Sequence, residues 1–112
     1  MGRLLYGSSA PPVELDDRLL QYIQIITATK LRRNESFAMT VVRDDALGRE
    51  TLWMQPAIPL RFVFTHAEAG AVERGYLQQL AQAASSAAGL TIDPHDWETQ
   101  EAAHRASLTP AA

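Results

Sequence analysis

From Asp16 to Asn34 the chain carries one uninterrupted helical period, and whatever else it forms must cover that helix. Leu19, Ile23 and Ile26 fall on one side of a wheel turning about 100° per residue, with Leu20 and Tyr22 on its flanks. Arg18, Gln21 and Arg32 fall on the other side, where solvent is expected. Asp16 and Asp17 suit the start, because a carboxylate accepts hydrogen bonds from the free N–H groups of a first turn and complements its positive dipole. Asn34 suits the stop, since asparagine tolerates the left-handed conformation of a helix C-terminus. The spacing predicts a helix over about Asp17–Arg33. One apolar stripe of this kind has to be buried against another layer.

The flanking sequence offers strands for that layer. "RLLY" (Arg3–Tyr6) runs into the turn residues Gly7-Ser8-Ser9, and "PPVEL" (Pro11–Leu15) alternates around Glu14, so the two can form a hairpin with an edge-like second strand. After the helix, "SFAMTVVR" places Phe37, Met39 and Val41 on one face and Ala38, Thr40 and Val42 on the other. Asp44–Gly48 has the composition of a hairpin loop. "RETLWMQ" sets Leu52 and Met54 opposite Thr51 and Trp53, and "IPLRFVFTH" sets Leu60, Phe62 and Phe64 inward. Pro56 and Pro59 deny backbone donors between these two runs, which predicts a tight corner. A second helix is expected over about Ala67–Ala88, with the stripe Ala69, Val72, Tyr76, Leu80, Ala83 and Ala87, closed by Gly89. Leu90–Ile92 can return as a short strand.

From Pro94 on, no sustained apolar face remains. The reading is an α+β domain over residues 1–93, ordered β-β-α-β-β-β-α(-β), with a mainly antiparallel sheet carrying two packed helices. Residues 94–112 are read as a flexible C-terminal tail with a fragment of helix around Glu98–Ala106, so deleting residues 96–112 is expected to move the melting temperature by a few degrees at most.

Composition removes several functional classes. There is no cysteine, so disulfides, thiolate metal sites and cysteine nucleophiles are excluded together. No apolar run approaches the roughly 20 residues needed to span a bilayer, and no secretory leader is read at the start, which makes the expected setting cytoplasmic, away from membranes. The net charge of −3 opposes general attraction to nucleic acid, leaving only a local basic patch to consider. His66, His95 and His104 lack the spacing that places two ligands on one helix face, and the glycines form no phosphate-binding loop. No metal, cofactor or catalytic group is assigned. The pairs Asp16-Asp17 and Asp44-Asp45 are read as a cap and a loop.

Five residues remain as binding candidates. Lys30, the only lysine, sits near the apolar stripe. It is either a reactive amine lining a pocket or a last-turn cation whose stem covers the core edge while the ammonium reaches past the helix terminus. Arg18 and Arg32 share a helix face, with Arg33 beside them; they could contact phosphate, or could be a solvated helix end. Trp53 on an outward strand position points to an interface, unless a helix or the tail covers it.

The blocks "LLYGSS", "VELDDRLL", "KLRRNESFAMT", "TLWMQPAIPLRFVF" and "SSAAGLTI", in this order, resemble a family of short actinobacterial proteins carrying a domain of unknown function. The resemblance covers about Met1 to Pro94. Asn34 stands where that family usually shows glycine. Many such proteins bear an automatic label, ATP-dependent DNA ligase, which implies a lysine attacking an α-phosphate within a Lys-x-Asp-Gly motif. Here Lys30 is followed by Leu31-Arg32-Arg33, with neither the acid nor the glycine. The chemistry the label implies has no residues to carry it.

The function expected from the sequence is therefore that of a small non-catalytic binding module, acting by self-association (a homo-oligomer) or on a protein partner. A nucleic-acid accessory role through Arg18, Arg32 and Arg33 is the second reading, and an enzyme of unrecognised type centred on Lys30 the third.

Overall fold

In the computed structural model, which describes residues 1–8, 10–43 and 48–108, the elements run β1 (Gly2–Tyr6), β2 (Val13–Leu15), α1 (Asp17–Arg32), β3 (Phe37–Val42), β4 (Arg49–Met54), β5 (Leu60–Val63), α2 (Arg74–Ala84), β6 (Leu90–Ile92) and α3 (Pro94–Leu108). The class is α+β, as expected. The strands nevertheless form two sheets rather than one. The first has the order β2-β1-β5, all antiparallel, and the second the order β4-β3-β6, in which β6 runs parallel to β3. The loop expected at Asp44-Asp45 lies outside the described residues.

The best-read element is α1. The Asp16 carboxylate accepts from the Arg18 and Leu19 amides at 2.9 and 3.4 Å, and Asn34 takes φ 62° just past the helix. Its buried face carries Leu19, Leu20, Tyr22, Ile23, Ile26 and Thr27. Both sheets meet this face: Leu4 and Leu15 come from the first, Phe37, Met39, Met54, Leu90 and Ile92 from the second, and all are buried. Gly2 permits the first sheet to come close. A Cβ there would stand 2.7 Å from Leu20 Cδ2 and 2.9 Å from the Val63 carbonyl oxygen. Gly89, at φ +81°, allows β6 to lie against β3, where a Cβ would meet the Ala38 carbonyl oxygen at 2.6 Å.

Two segments depart from the sequence reading. The second helix starts at Arg74 instead of near Ala67 because α1 claims the preceding backbone. Asp17 binds Thr65 and His66, Gln21 makes two hydrogen bonds with Gly70, Arg18 donates to the Ala71 carbonyl, and the Glu73 amide donates to the Tyr22 hydroxyl. Groups bound in this way cannot make the first turns of a helix, so Glu73 becomes the cap, its carboxylate accepting from the Gly75 and Tyr76 amides. Arg18 and Gln21, expected in solvent, thus hold the chain between β5 and α2.

The second departure follows Ile92. The segment read as a tail with a fragment of helix around Glu98–Ala106 is one helix over Pro94–Leu108. Asp93 caps it through its carboxylate to the His95 amide at 3.0 Å, and Pro94 stands at the first helical position, where its missing donor costs nothing. Trp97 enters the core, 4% exposed, with its ring centroid 5.7 Å from those of both Tyr22 and Tyr76. Burial, then the neighbouring Tyr22 and Asp96, push the Tyr76 phenol above its ordinary value. Among the described residues no helix is long and apolar enough to cross a membrane.

Candidate functional site

The densest polar cluster is one that the sequence did not single out. The Asp17 carboxylate accepts from the Thr65 amide at 2.9 Å, the Thr65 hydroxyl at 2.8 Å and the His66 amide at 3.2 Å, and pairs with the His66 ring nitrogen Nδ1 at 3.0 Å. Burial works against its charge. The hydrogen bonds from the His66 ring, the Thr65 hydroxyl and the two amides outweigh that, and hold the carboxyl below its ordinary value. An acid, an imidazole and a hydroxyl in contact invite comparison with a nucleophilic triad, but the connections are wrong for one. Relay requires the hydroxyl to meet the ring nitrogen that the acid does not bind. Here the threonine hydroxyl lies 3.3 Å from Nδ1, the nitrogen that the acid binds, and both converge on the same carboxylate oxygen, so the hydroxyl donates its hydrogen bond to the acid. The cluster is a clasp that ends β5 on the start of α1.

The basic candidates do not come together. Arg18 donates to Glu101 at 2.8 Å and to the Ala71 carbonyl at 3.0 Å, joining α1 to α3 and to the segment before α2. Arg32 and Arg33 are exposed at the far end of α1. Fourteen residues at about 1.5 Å each put Arg18 roughly 21 Å from Arg32 along the axis. Lys30 reaches across to the end of α2, donating to the Ser85 hydroxyl at 2.8 Å with Glu35 3.6 Å away. This is the arrangement of a cation near a helix C-terminus, bridging two helices.

Trp53 is different. Alternation along β4 sends Leu52 and Met54 into the core and leaves Trp53 54% exposed; it and Met1 are the exposed large hydrophobic side chains among the described residues. The Tyr6 hydroxyl donates to the Trp53 carbonyl at 2.7 Å, tying the end of β1 to the second sheet. Beside this tie the two sheets diverge around a groove of about 990 Å³. Its floor is the edge of the core, formed by the buried residues Leu15, Leu19, Val41, Leu52 and Trp97. One wall is β2, the terminal strand of the first sheet, and the other is β4, the terminal strand of the second. The rim carries Glu14, Asp16, Glu50 and Glu98 against a single guanidinium, Arg43, which is itself bound to Glu50 at 3.1 Å. A smaller groove, about 410 Å³, lies between α2, β6 and α3, with a lining of mixed polar and apolar character. Lys30, Arg32 and Arg33 line neither.

Alternation in "RETLWMQ" was enough to find Trp53. The groove was hidden from the sequence because its walls come from residues near 14, 52 and 97, brought together only by the tertiary fold. Among the described residues no three histidine or carboxylate side chains gather as a metal site. Residues 1–95 match the model of a family described as a domain of unknown function (DUF7882). No curated protein and no solved structure matches the chain.

Proposed function

We propose that this chain, which belongs to the DUF7882 family of unknown function, is a non-catalytic binding module that holds another polypeptide in the groove beside Trp53. One observation carries the reading: a large aromatic side chain stays more than half exposed on a regular strand, at the rim of an apolar groove. Exposed aromatic groups beside a depression are favoured as interface anchors, because they bring much contact area for little loss of side-chain freedom. The groove is large enough for several side chains and too open to enclose a small substrate.

Catalytic readings draw less support. The Lys30 amine is engaged by Ser85 and Glu35, and the residues after it offer no acid or close-approach glycine for a nucleotidyl transfer. The phosphate-contact reading keeps Arg32 and Arg33 but loses Arg18 to Glu101 and Ala71.

The test has two arms. Light scattering over a wide concentration range reads self-association, and selection from a displayed library of random ten-residue peptides on the immobilised full chain reads binding to other polypeptides. The expected result is that one arm is positive and that Trp53→Ala weakens it at least tenfold with the fold intact. A strictly monomeric protein that recovers no Trp53-dependent peptide would end the reading.

A further inference from the structure

We infer that the occupant of the Trp53 groove is a segment of a different protein, extended in conformation, carrying lysine or arginine on both sides of an apolar anchor residue. This rests on the proposed function and adds the chemistry of the partner.

Three features of the groove define that chemistry. The first is backbone. Each wall is a terminal strand, β2 of one sheet and β4 of the other, with a strand neighbour on one side only among the described residues. Terminal strands leave a row of N–H and C=O groups unpaired, and an extended segment satisfies them by adding a strand. A helix laid in the same place would bring no backbone groups to either edge.

The second is the floor. Leu15, Leu19 and Leu52 line it with the Trp97 ring, all of them buried, and Leu52 keeps the most exposure of the four, at 9%. An aliphatic or aromatic side chain inserted at this point would be removed from water, at about 25 cal/mol for each Å² buried. Trp53, at the rim, would cover its flank.

The third is charge. Glu14 and Glu98 both line the groove and are exposed, from β2 and α3, and neither makes an ion pair among the described contacts. Asp16 and Glu50 extend the same sign along the rim. The one guanidinium present, Arg43, is already matched by Glu50. An acidic segment would be repelled along the whole rim, and an uncharged one would leave the acids merely hydrated. A basic segment gains from them and from the face of Trp53, which attracts a cation through its ring quadrupole. A second copy of this chain is a poorer fit. Its exposed arginines lie in or at the ends of helices (Arg32, Arg33, Arg74 and Arg105) or stand singly on or beside strands already paired in the sheets (Arg3, Arg43, Arg49 and Arg61), so no one strand of it offers two cations on both sides of an apolar residue.

The test compares the composition of the selected peptides with the starting library, then measures their binding by fluorescence polarisation to the wild-type chain, to Glu14→Lys/Glu98→Lys and to Trp53→Ala. Both glutamates are exposed, so the reversal leaves the core untouched. Circular dichroism confirms the fold of each variant, and Glu14→Gln/Glu98→Gln serves as a milder second variant. The inference expects lysine and arginine enriched on both sides of one apolar position. It also expects at least tenfold weaker binding to the reversed variant, a smaller loss for the glutamine variant, and weakening with salt. Trp53-dependent peptides that are acidic or uncharged, or that ignore the reversal, would overturn the partner chemistry while leaving the proposed function standing. Light scattering that shows a dimer broken by Glu14→Lys/Glu98→Lys would make the occupant a second copy, which also overturns it. If no peptide depends on Trp53, both fail together.

Discussion

Replacing Trp97 by alanine tests whether α3 belongs to the folded unit. Trp97 is 4% exposed and packs on Tyr22 and Tyr76, each ring 5.7 Å away. A tryptophan buried to this degree removes about 240 Å² from water, which at about 25 cal/mol per Å² is about 6 kcal/mol. A compact unfolded chain already hides part of that area, which brings the figure to about 4 kcal/mol, within the range of about 3–5 kcal/mol typical for losing a core aromatic. The groove limits the cavity penalty, because water can reach one side of the space left behind. In a domain of this size about 1 kcal/mol corresponds to roughly 4 °C, so Trp97→Ala should melt about 15 °C lower than wild type. Differential scanning calorimetry gives the melting temperature, urea unfolding gives the free energy, and Trp97→Phe should lose less than half as much. Deleting residues 96–112 should cost at least as much as Trp97→Ala, where the sequence pattern alone allows a few degrees. A shift below about 4 °C for both changes would mean that the aromatic cluster contributes little and that the domain ends before α3.

Gly2→Ala should destabilise by about 1–3 kcal/mol, the usual cost of overpacking, since the added methyl meets Leu20 Cδ2 at 2.7 Å and Asp17 Oδ1 at 2.8 Å; an unchanged melting curve would contradict the close approach of β1 to α1. The Asp17 carboxyl is held below its ordinary value in the folded state, so its contribution is complete above about pH 4 and is lost as pH falls through the lowered value. Urea titrations from pH 7 to pH 3 should therefore show wild type converging on Asp17→Asn only at the acid end, and a gap that does not narrow would rule out the clasp as its source. If duplex DNA binds at all, Arg32 and Arg33 together support a log–log salt slope of no more than about −1.8, and a steeper slope would require a basic surface other than these two residues. Incubation with ATP and a divalent metal should leave the intact mass unchanged, whereas an AMP adduct absent from Lys30→Ala would restore nucleotidyl transfer to consideration.

Local signals were legible where they decide local structure. Asp16 and Asn34 marked the ends of α1 almost to the residue, because a capping carboxylate and a left-handed asparagine act within one turn. Alternation assigned the faces of β3 and β4 correctly, since side chains on a strand point to opposite sides in strict succession. Partner choice was not legible. Nothing in Leu60–Val63 says that it leaves β4 for β1, although the corner at Pro56 and Pro59, where the Pro59 carbonyl accepts from Gly7, was visible as a break. The stripe through Ala69, Val72 and Tyr76 read as helix because periodicity ignores hydrogen bonds arriving from elsewhere. Asp17, Arg18, Gln21 and Tyr22 took the backbone groups that a helix over those residues needs. The helix after Pro94 was read only as a fragment around Glu98–Ala106, for the opposite reason. Its apolar face amounts to little more than Trp97, and the Asp93-Pro94 start was the only local sign.

The two sheets are interleaved along the chain. The first needs residues 2–6, 13–15 and 60–63, while the second needs residues 37–42, 49–54 and 90–92. No cut divides the sequence into a piece holding one complete sheet and a remainder holding the other. The β1·β5 and β3·β6 pairings each span some fifty residues or more, so closure of both must await synthesis of nearly the entire domain. A nascent chain halted before Leu90 would leave β3 with one open flank and the Leu90 and Ile92 positions of the core empty. For this architecture, the interleaved order makes assembly on the ribosome a late event rather than a progressive one, and a chain that stops before β6 lacks a strand of the second sheet.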